Sequence, residues 1–337
     1  MDMERRSFIK LSVLSAGCIA AGLDSCAPAP TMGTSPVEAP PRSASQGTPG
    51  DTESQNPIAR IMVMSDTHFD PEVEQNNTHY RAAFADIGEM DPKPDAVVIA
   101  GDITYTSEER QYQGAVDIAA SYGFASKDNL VLVMGNHDQD NTESTSDADF
   151  EPYRRLFARF ATEQNVYYDR TVSGQHIVVL GPDDQEGLGW ISFKISQTQL
   201  DWLESKLAED AQRNVPTLVV MHEPLSNTVR GSLEGQFAHG IVANDAELRA
   251  IIDRYPRTVY VSGHSHAYPD IQQIDGTGPL FVNDGAVATG QRVPDTRSYN
   301  GAFGWLITVY SDRIDFALRD FLERTWVDGS LYTHILP

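Results

Sequence analysis

Cysteine is almost absent from this sequence. Only Cys18 and Cys26 occur among its 337 residues, and both lie close to the N-terminus. A disulfide framework is therefore excluded for the rest of the chain, which must instead fold around an apolar core. Hydrophobic residues make up 40% of the sequence, which is ordinary globular usage and is sufficient for such a core.

Positive charge is also scarce. The chain has 25 Lys and Arg against 48 Asp and Glu, which gives a formal net charge of -23. The resulting field repels nucleic acids and anionic lipids from most of the surface. We therefore expect no nucleic-acid partner, and any phosphate-bearing ligand must be attracted by positive charge concentrated at one place.

The apolar run near the N-terminus is too short to cross a bilayer as a helix. It covers residues 11–23, whereas a membrane helix needs roughly 20 apolar residues. Arg5 and Arg6 precede it, and this order of basic and apolar segments predicts a signal peptide over residues 1–25. The segment resembles a twin-arginine export signal, which implies a periplasmic or otherwise extracytoplasmic protein; the alternatives are an ordinary signal peptide or an uncleaved anchor.

A lipid anchor and a linker are predicted after the signal peptide. Leu23-Asp24-Ser25-Cys26 resembles a lipoprotein processing site, in which Cys26 would carry the lipid; the alternative is that Cys26 stays unmodified. Contact with a membrane is expected only through the signal peptide or this lipid. Residues 26–57 are rich in Pro, Ala, Ser and Thr, which predicts a flexible linker. The remainder, 58–337, shows no internal repeat and is predicted to form one domain.

Residues 58–337 alternate between apolar runs and helical patterns, which predicts an α/β fold. Apolar runs without alternation predict strands that are buried on both faces. These strands are expected at 58–65, 95–100, 129–134, 217–221 and 258–261, with helices at 79–90, 108–122, 149–162, 197–212 and 245–254, and a hairpin at 166–180. After residue 267, short strands at 271–274, 280–283, 304–310 and 313–318 predict a second sheet made largely of hairpins.

Metal-binding types of side chain follow each predicted buried strand. They are Asp66 and His68, then Asp102, then Asn136 and His137, then His222, and finally His264 and His266. In an open α/β sheet, the carboxyl ends of parallel strands converge on one crevice. A single histidine after a strand is usually structural, but five of the nine histidines fall in these segments. We therefore expect the segments to form one site.

The residue types in this set suit a pair of metal ions. Carboxylate and imidazole groups bind Zn, Mn and Fe, and one carboxylate can bridge two ions. Asp66 and His68 are two residues apart, which on an extended chain places both side chains on the same side. His264 and His266 share that spacing. The expected cofactor is two divalent or trivalent metal ions.

These segments, and their order along the chain, resemble the motifs of the calcineurin-like metallophosphoesterase family. The resemblance is carried by Asp66-Thr67-His68, Gly101-Asp102, Gly135-Asn136-His137-Asp138, His222 and Gly263-His264-Ser265-His266. It implies a four-layer α/β sandwich, with two mixed β-sheets flanked by helices and a dinuclear metal site at the strand ends. It also implies that Asp66, His68, Asp102 and His266 hold the first ion, that Asp102, Asn136, His222 and His264 hold the second, and that His137 acts on the leaving group.

The activity implied by this resemblance is the hydrolysis of small phosphoesters by an exported enzyme. A hydroxide that bridges the two ions would attack phosphorus in line. Phosphomonoesters and phosphodiesters both stay open as substrates, and the oligomeric state is also open. The alternative is a non-catalytic extracytoplasmic metal-binding or scaffold lipoprotein. His137 favours the enzyme, because a binding protein needs no proton donor beside its ligands.

The sequence departs from the family pattern at three positions. Several relatives have an acidic residue three positions after the bridging aspartate, where it orients the catalytic histidine, but this chain has Tyr105 there. Asp138 or another residue would then have to support His137. Asp140 stands where the cyclic-nucleotide branch often has arginine, and His68 argues against the purple acid phosphatase arrangement with its tyrosine ligand.

Overall fold

The computed structural model describes residues 56–139, 144–234, 236, 242–288 and 301–337. The predicted signal peptide, Cys26 and the predicted linker up to residue 55 lie outside these ranges, as does Asp140. Within the described ranges, no helix combines the length and the apolar character that a bilayer crossing requires.

The described residues form thirteen strands and five α-helices in a mostly alternating order. The strands are β1 (Ala59–Met64), β2 (Ala96–Ile99), β3 (Leu130–Leu132), β4 (Tyr168–Val172), β5 (Gln175–Val179), β6 (Thr217–Val220), β7 (Thr258–Ser262), β8 (Asp270–Gln273), β9 (Leu280–Asn283), β10 (Phe303–Val309), β11 (Arg313–Asp320), β12 (Thr325–Trp326) and β13 (Tyr332–Ile335). The helices are α1 (Glu74–Glu89), α2 (Glu109–Ser121), α3 (Asp147–Ala161), α4 (Gln197–Arg213) and α5 (Asp245–Ile252).

The strands form two mixed sheets. The first has the order β12-β11-β10-β1-β2-β3, with β13 also paired to β11, and the second has the order β4-β5-β6-β7-β9-β8. Strands β1, β2 and β3 are parallel to one another, as are β5, β6, β7 and β9. The remaining pairings are antiparallel and lie toward the outer parts of the sheets, apart from the β1–β10 pair inside the first sheet.

The second sheet separates two hydrophobic cores. Ile177 and Val179 of β5 belong to the larger core, which also contains β1 and β2 residues of the first sheet. Val178, between them in sequence, belongs to the smaller core together with Leu203 of α4 and Ile252 of α5. Because side chains alternate across a strand, one face of this sheet packs toward the first sheet and the other packs on helices. This is the α/β fold with two mixed sheets flanked by helices that the family resemblance implied.

The predicted distribution of strands was wrong in two respects. The parallel strands do not share one sheet, because β1 to β3 lie in the first sheet and β5, β6, β7 and β9 lie in the second. The late strands do not form a sheet of their own either, since β8 and β9 extend the second sheet while β10 to β13 extend the first. A continuous apolar run indicates that a strand is buried, but it does not indicate which other strand pairs with that strand.

The predicted helices are confirmed, with one large shift at a boundary. Helix α1 begins at Glu74, whereas the sequence pattern predicted a start at residue 79. The pattern missed residues 74–78 because they are polar and show no apolar face. Asn76 of this first turn is buried, and its Nδ2 donates a hydrogen bond to the carbonyl oxygen of His68 at 2.8 Å. The early turn of α1 therefore holds the loop that follows β1.

Candidate metal centre

The structure brings all seven predicted ligand residues together, with His137 beside them. Three segments come from the ends of β1, β2 and β3 in the first sheet, and two come from the ends of β6 and β7 in the second. The residues from the first sheet are Asp66, His68, Asp102 and Asn136, and those from the second are His222, His264 and His266. The site thus lies where the carboxyl edges of two sheets meet, and not at the edge of a single sheet as expected.

The aspartates and histidines fall into two buried groups, each with the geometry to hold a metal ion. The first contains Asp66, His68, Asp102 and His266, and the second contains Asp102, His222 and His264. Within each group, one donor atom from every residue lies within 4.8 Å of the others. Asp102 belongs to both groups. His266 belongs to the first group and His264 to the second, so these two histidines do not face the same ion.

In the first group the donor atoms converge closely. Nε2 of His266 lies 2.9 Å from Oδ1 of Asp66 and 3.1 Å from Nε2 of His68. The same His68 nitrogen lies 3.6 Å from Oδ2 of Asp102. Two ring nitrogens and two carboxylates that point at one another are a donor set suited to a transition-metal ion.

The second group is arranged around His222. Its Nδ1 donates a hydrogen bond to the carbonyl oxygen of Ala100 at 2.9 Å, which leaves Nε2 as the donor atom for a metal. This Nε2 lies 3.3 Å from Oδ1 of Asp102 and 3.2 Å from Oδ1 of Asn136. The ring of His264 is 5.0 Å from the ring of His222, measured between centroids. Asn136 therefore adds a neutral oxygen donor to this group.

Five of these residues have a left-handed backbone. The φ angles are +50° at Asp66, +40° at His68, +49° at Asp102, +63° at His264 and +50° at His266. Residues other than glycine rarely adopt this conformation, and it costs about 1–3 kcal/mol at each position. The side chains therefore share the site because of turns beyond β1 and β7, not because they lie on an extended chain as the spacing suggested. Such concentrated strain is typical of functional sites.

Two glycines allow the strand ends to approach one another. Gly101 has a φ of +95°, and a Cβ there would lie 2.2 Å from Nδ1 of His222. A Cβ at Gly263 would lie 2.1 Å from Oγ of Ser65 and 2.5 Å from Oδ2 of Asp66. Both glycines lie where a strand of one sheet meets a residue from the other. Any larger residue would separate the two halves of the site.

Burial and neighbouring charges control the ionisation of the centre. Burial raises the pKa of Asp102, but His222 and His137 outweigh it and hold that pKa well below its usual range. Burial lowers the pKa of His222, but the carboxylates of Asp102 and Asp66 outweigh it and raise that pKa to about 10. The pKa of His68 falls to about 3, chiefly because the ring is buried. Ionised buried carboxylates of this kind favour the binding of cations.

The donor set fits two metal ions. The described residues supply two buried carboxylates, four imidazoles and an amide oxygen within one compact site, and Asp102 faces both groups through different oxygens. These ligand types are consistent with Mn, Fe or Zn. The centre is a dinuclear metal site.

His137 lies outside both metal groups and is oriented by a backbone oxygen. Its Nδ1 donates a hydrogen bond to the carbonyl oxygen of Tyr105 at 2.9 Å. Of the two alternatives left open for the support of His137, Asp138 or another residue, the structure shows the second, because the partner is the backbone of Tyr105. Asp138 is buried and accepts hydrogen bonds from the backbone amides of Ile103, Thr104 and Gly135. The Asp138 carboxylate therefore holds the loop after β2 against the loop after β3, and its hydrogen bonds are made to these backbone amides.

Ser65 and Asp284 extend the centre behind Asp66, and sequence reasoning missed both. The hydroxyl of Ser65 contacts Oδ2 of Asp66 and lies 2.5 Å from Oδ1 of Asp284. The backbone amide of His264 also donates to Oδ2 of Asp66 at 2.9 Å. Burial raises the pKa of Asp284 well above its usual range. A signal was present, because Asp284 directly follows the apolar strand β9 just as the other site residues follow theirs.

An open cavity of about 400 Å³ borders the centre. Its floor is formed by site residues, and its walls include Val73, Tyr105, Trp190 and Ile191. Trp190 and Ile191 belong to the long segment between β5 and α4, which has no periodic pattern in the sequence and gave no signal. Among the described residues that line this cavity, none is Lys or Arg.

The calcineurin-like phosphoesterase family matches residues 59–268 of this chain. The matched range contains every residue of the two metal groups as well as His137. It also covers more than half of the sequence. The chain belongs to the calcineurin-like phosphoesterase family.

Similar proteins include both phosphodiesterases and phosphatases. A cAMP/cGMP dual specificity phosphodiesterase of Mycobacterium tuberculosis is 28% identical over 78% of this chain and 79% of its own length. Purple acid phosphatase 23 of Arabidopsis thaliana is 24% identical over 58% of this chain, and the match spans 47% of that relative. A dimetal phosphatase from Danio rerio is similar in fold, with a TM-score of 0.59, 14% identity, and coverage of 84% of this chain and 100% of that one.

Proposed function

We propose that this chain is an exported hydrolase of small phosphoesters. The observation that carries the proposal is the meeting of two buried donor groups at Asp102, with His137 outside both groups but beside the same cavity. A protein that only binds cations gains nothing from a proton donor placed next to its ligands. The same arrangement is what a metal-assisted hydrolase requires.

Each ion is assigned to one donor group in this proposal. Asp66, His68, Asp102 and His266 hold one ion, and Asp102, Asn136, His222 and His264 hold the other. When bound, the two ions lower the pKa of a water molecule toward ~7 and stabilise negative charge on the phosphoryl oxygens. Asp102 serves both groups, since its Oδ2 faces His68 and its Oδ1 faces His222.

His137 supplies the proton for the leaving group. Because Nδ1 donates to the carbonyl oxygen of Tyr105, Nε2 is the atom that can hold a proton for the departing oxygen. A positioned donor of this kind contributes about 10²–10⁴ in rate. The backbone amide of His137 also donates to Oδ1 of Asp102 at 2.8 Å, which fixes the distance between the proton donor and the metal ligands.

The size and charge of the site favour small substrates. A cavity of about 400 Å³ is at the lower end of the range for small-molecule sites. The acidic balance of the chain disfavours polyanions such as nucleic acids. Similarity to a cyclic-nucleotide phosphodiesterase and to a phosphatase supports phosphodiesters and phosphomonoesters alike as substrates.

The test compares the hydrolysis of two chromogenic esters by the metal-loaded protein. The purified protein is loaded with Mn, Zn or Fe, and its hydrolysis of p-nitrophenyl phosphate and of bis(p-nitrophenyl) phosphate is measured together with its metal content. We expect hydrolysis that is lost on chelation and restored by adding metal, and the ratio of the two rates ranks the ester types. Protein that holds two ions and hydrolyses neither ester would support the non-catalytic scaffold instead.

Export is the part of the proposal supported by sequence alone. Arg5 and Arg6 before a short apolar run support transport across the cytoplasmic membrane, and Cys26 supports a lipid anchor. Replacing Arg5 and Arg6 by lysine should leave the protein in the cytoplasmic fraction. Replacing Cys26 by serine should move the exported protein from the membrane fraction to the soluble extracytoplasmic fraction, and an unchanged distribution would contradict lipidation.

A further inference from the structure

The leaving-group side of the cavity is aromatic. The His137 ring has two aromatic neighbours in the cavity lining, with ring centroids 6.0 Å away for Tyr105 and 5.4 Å away for Trp190. The Tyr105 ring is inclined by 28° to the imidazole, and the Trp190 ring is nearly perpendicular to it, at 84°. The proton donor of the proposed reaction is therefore flanked by two flat apolar surfaces.

Part of the apolar lining beside His137 is exposed. Tyr105 is 44% exposed and the adjoining Ile191 is 41% exposed, although both are large apolar residues. They are two of seven exposed large hydrophobic residues in the described part of the chain, and both border the cavity beside the metal centre. Exposed apolar surface concentrated beside a site of chemistry indicates a surface that a ligand covers.

The geometry fixes which part of a substrate meets these rings. The phosphoryl group must lie at the metal centre, and the leaving oxygen must lie within hydrogen-bond reach of His137. Tyr105 and Trp190 are then the aromatic side chains nearest in the cavity lining to the carbon skeleton attached to that oxygen, because both rings lie within about 6 Å of the His137 ring. Tyr105 and Trp190 both line the cavity, so they offer this part of the substrate stacking and apolar contact.

We propose that Tyr105 and Trp190 form a leaving-group subsite that selects phosphoesters in which the leaving group is a flat aromatic ring. This inference rests on the proposed phosphoesterase function and adds the substrate class to it. Aromatic stacking of this kind changes binding by about tenfold for each contact that is removed. The subsite therefore raises kcat/KM for aromatic leaving groups above that for aliphatic leaving groups of equal acidity.

The test compares two methyl phosphodiesters, one of phenol and one of hexafluoroisopropanol, because these two alcohols have similar acidity but only one is aromatic. The measured quantity is the ratio of kcat/KM for the two esters with the metal-loaded protein. We expect a ratio of about one hundred in favour of the phenyl ester, about tenfold from each ring. Replacement of Trp190 or of Tyr105 by alanine should lower the ratio about tenfold, whereas Trp190→Phe should preserve most of it.

Matched controls separate the outcomes. The carbonyl oxygen that orients His137 belongs to the backbone of Tyr105, so Tyr105→Ala removes only the ring. Trp326 of β12 is exposed and lies outside the cavity lining, so Trp326→Ala should leave both rates unchanged. A wild-type ratio near one, or a ratio that survives both alanine substitutions, overturns the subsite while leaving the phosphoesterase function intact. Absence of hydrolysis of both esters overturns the phosphoesterase function and the subsite together.

Discussion

Nδ1 of His137 lies 2.9 Å from the backbone carbonyl oxygen of Tyr105, the third residue after Asp102. A carbonyl oxygen only accepts hydrogen bonds, so this contact fixes the proton on Nδ1 and orients the ring as a carboxylate would. Because the acceptor is neutral, it adds no negative charge beside the cavity. The histidine is thus positioned by the fold of a loop and not by a partner side chain.

Removal of the imidazole of His137 should separate proton donation from metal binding. We expect His137→Ala to lower kcat by about 10²–10⁴, with the largest loss for substrates whose leaving groups are poor. Its metal content should equal that of the wild-type protein, because His137 belongs to neither donor group. Kinetics on esters of graded leaving-group acidity, together with metal analysis, check both points. A variant that no longer retains metal would show that His137 is a ligand.

Substitution of Asp102, unlike that of His137, should remove metal binding together with turnover. Asp102 faces both donor groups through different oxygens, and Asn has only one oxygen and no charge. Asp102→Asn should therefore lose metal from both positions and lose turnover in parallel, as measured by metal analysis and by hydrolysis of bis(p-nitrophenyl) phosphate. Full activity with two ions bound would remove Asp102 from the mechanism.

Ser65 and Asp284 should support metal affinity from behind Asp66. The Ser65 hydroxyl contacts carboxylate oxygens of both Asp66 and Asp284, so its loss removes one of the contacts that orient the Asp66 carboxylate. We expect Ser65→Ala and Asp284→Asn each to weaken metal binding by about 10–100-fold, measured by competition with a chelator. Ser205→Ala is the matched control, since that hydroxyl is exposed and contacts only the carbonyl oxygen of Trp202. Wild-type metal affinity in both site variants would contradict this supporting role.

Enlargement of Gly263 should disturb the contact between the two sheets at the centre. The added Cβ would lie 2.1 Å from Oγ of Ser65 and 2.5 Å from Oδ2 of Asp66, and both of these side chains are buried. We expect Gly263→Ala to lower the free energy of unfolding by about 1–3 kcal/mol and to reduce metal content. Gly278→Ala is the control, because its nearest neighbour would be at an ordinary 3.4 Å. Thermal denaturation of both variants provides the measurement, and equal Tm values would contradict the expected clash.

His176 should make stability depend on pH at a place distant from the metals. Its Nδ1 lies 2.6 Å from Asp210 and its Nε2 lies 3.1 Å from Asp169. Burial lowers the pKa of His176, but these carboxylates outweigh it and raise the pKa above 6.5. The contribution of His176 is therefore fully present below pH 6.5 and is lost as pH rises through the pKa of the folded state.

The variant His176→Gln should accordingly lower the free energy of unfolding more at pH 5.5 than at pH 9. Charge-assisted hydrogen bonds contribute roughly 1.5–3 kcal/mol, so the difference between the two pH values should be about 1–2 kcal/mol. Urea denaturation of the variant and the wild-type protein at both pH values isolates this difference. An equal loss of stability at both pH values would show that the charge on His176 does not stabilise the fold.

Sequence reasoning located the strands and the segments that follow them because both leave local patterns. A buried parallel strand reads as a continuous apolar run, and the polar residue at its carboxyl end stands out directly after it. Asp66, Asp102 and His222 are each found in this way, and the structure places them together. The same rule applied to β9 would have found Asp284.

Properties that depend on distant partners were not predictable. The pairing of β1 with β10, for example, joins segments near opposite ends of the folded region. Neither segment has a sequence pattern that indicates the other as its partner. The support of His137 by the Tyr105 carbonyl depends on backbone direction, which side-chain patterns do not record. Trp190 reaches the cavity from an irregular segment, so no periodicity could place it there.

The division of the donor groups between two sheets links metal binding to the cohesion of the fold. Each group combines residues that follow strands of the first sheet with histidines that follow strands of the second. Cation binding therefore resists separation of the two halves of the sandwich, and its free energy adds to that of folding. A molecule deprived of its ions would lose its chemistry and, for the same reason, become an easier target for proteases.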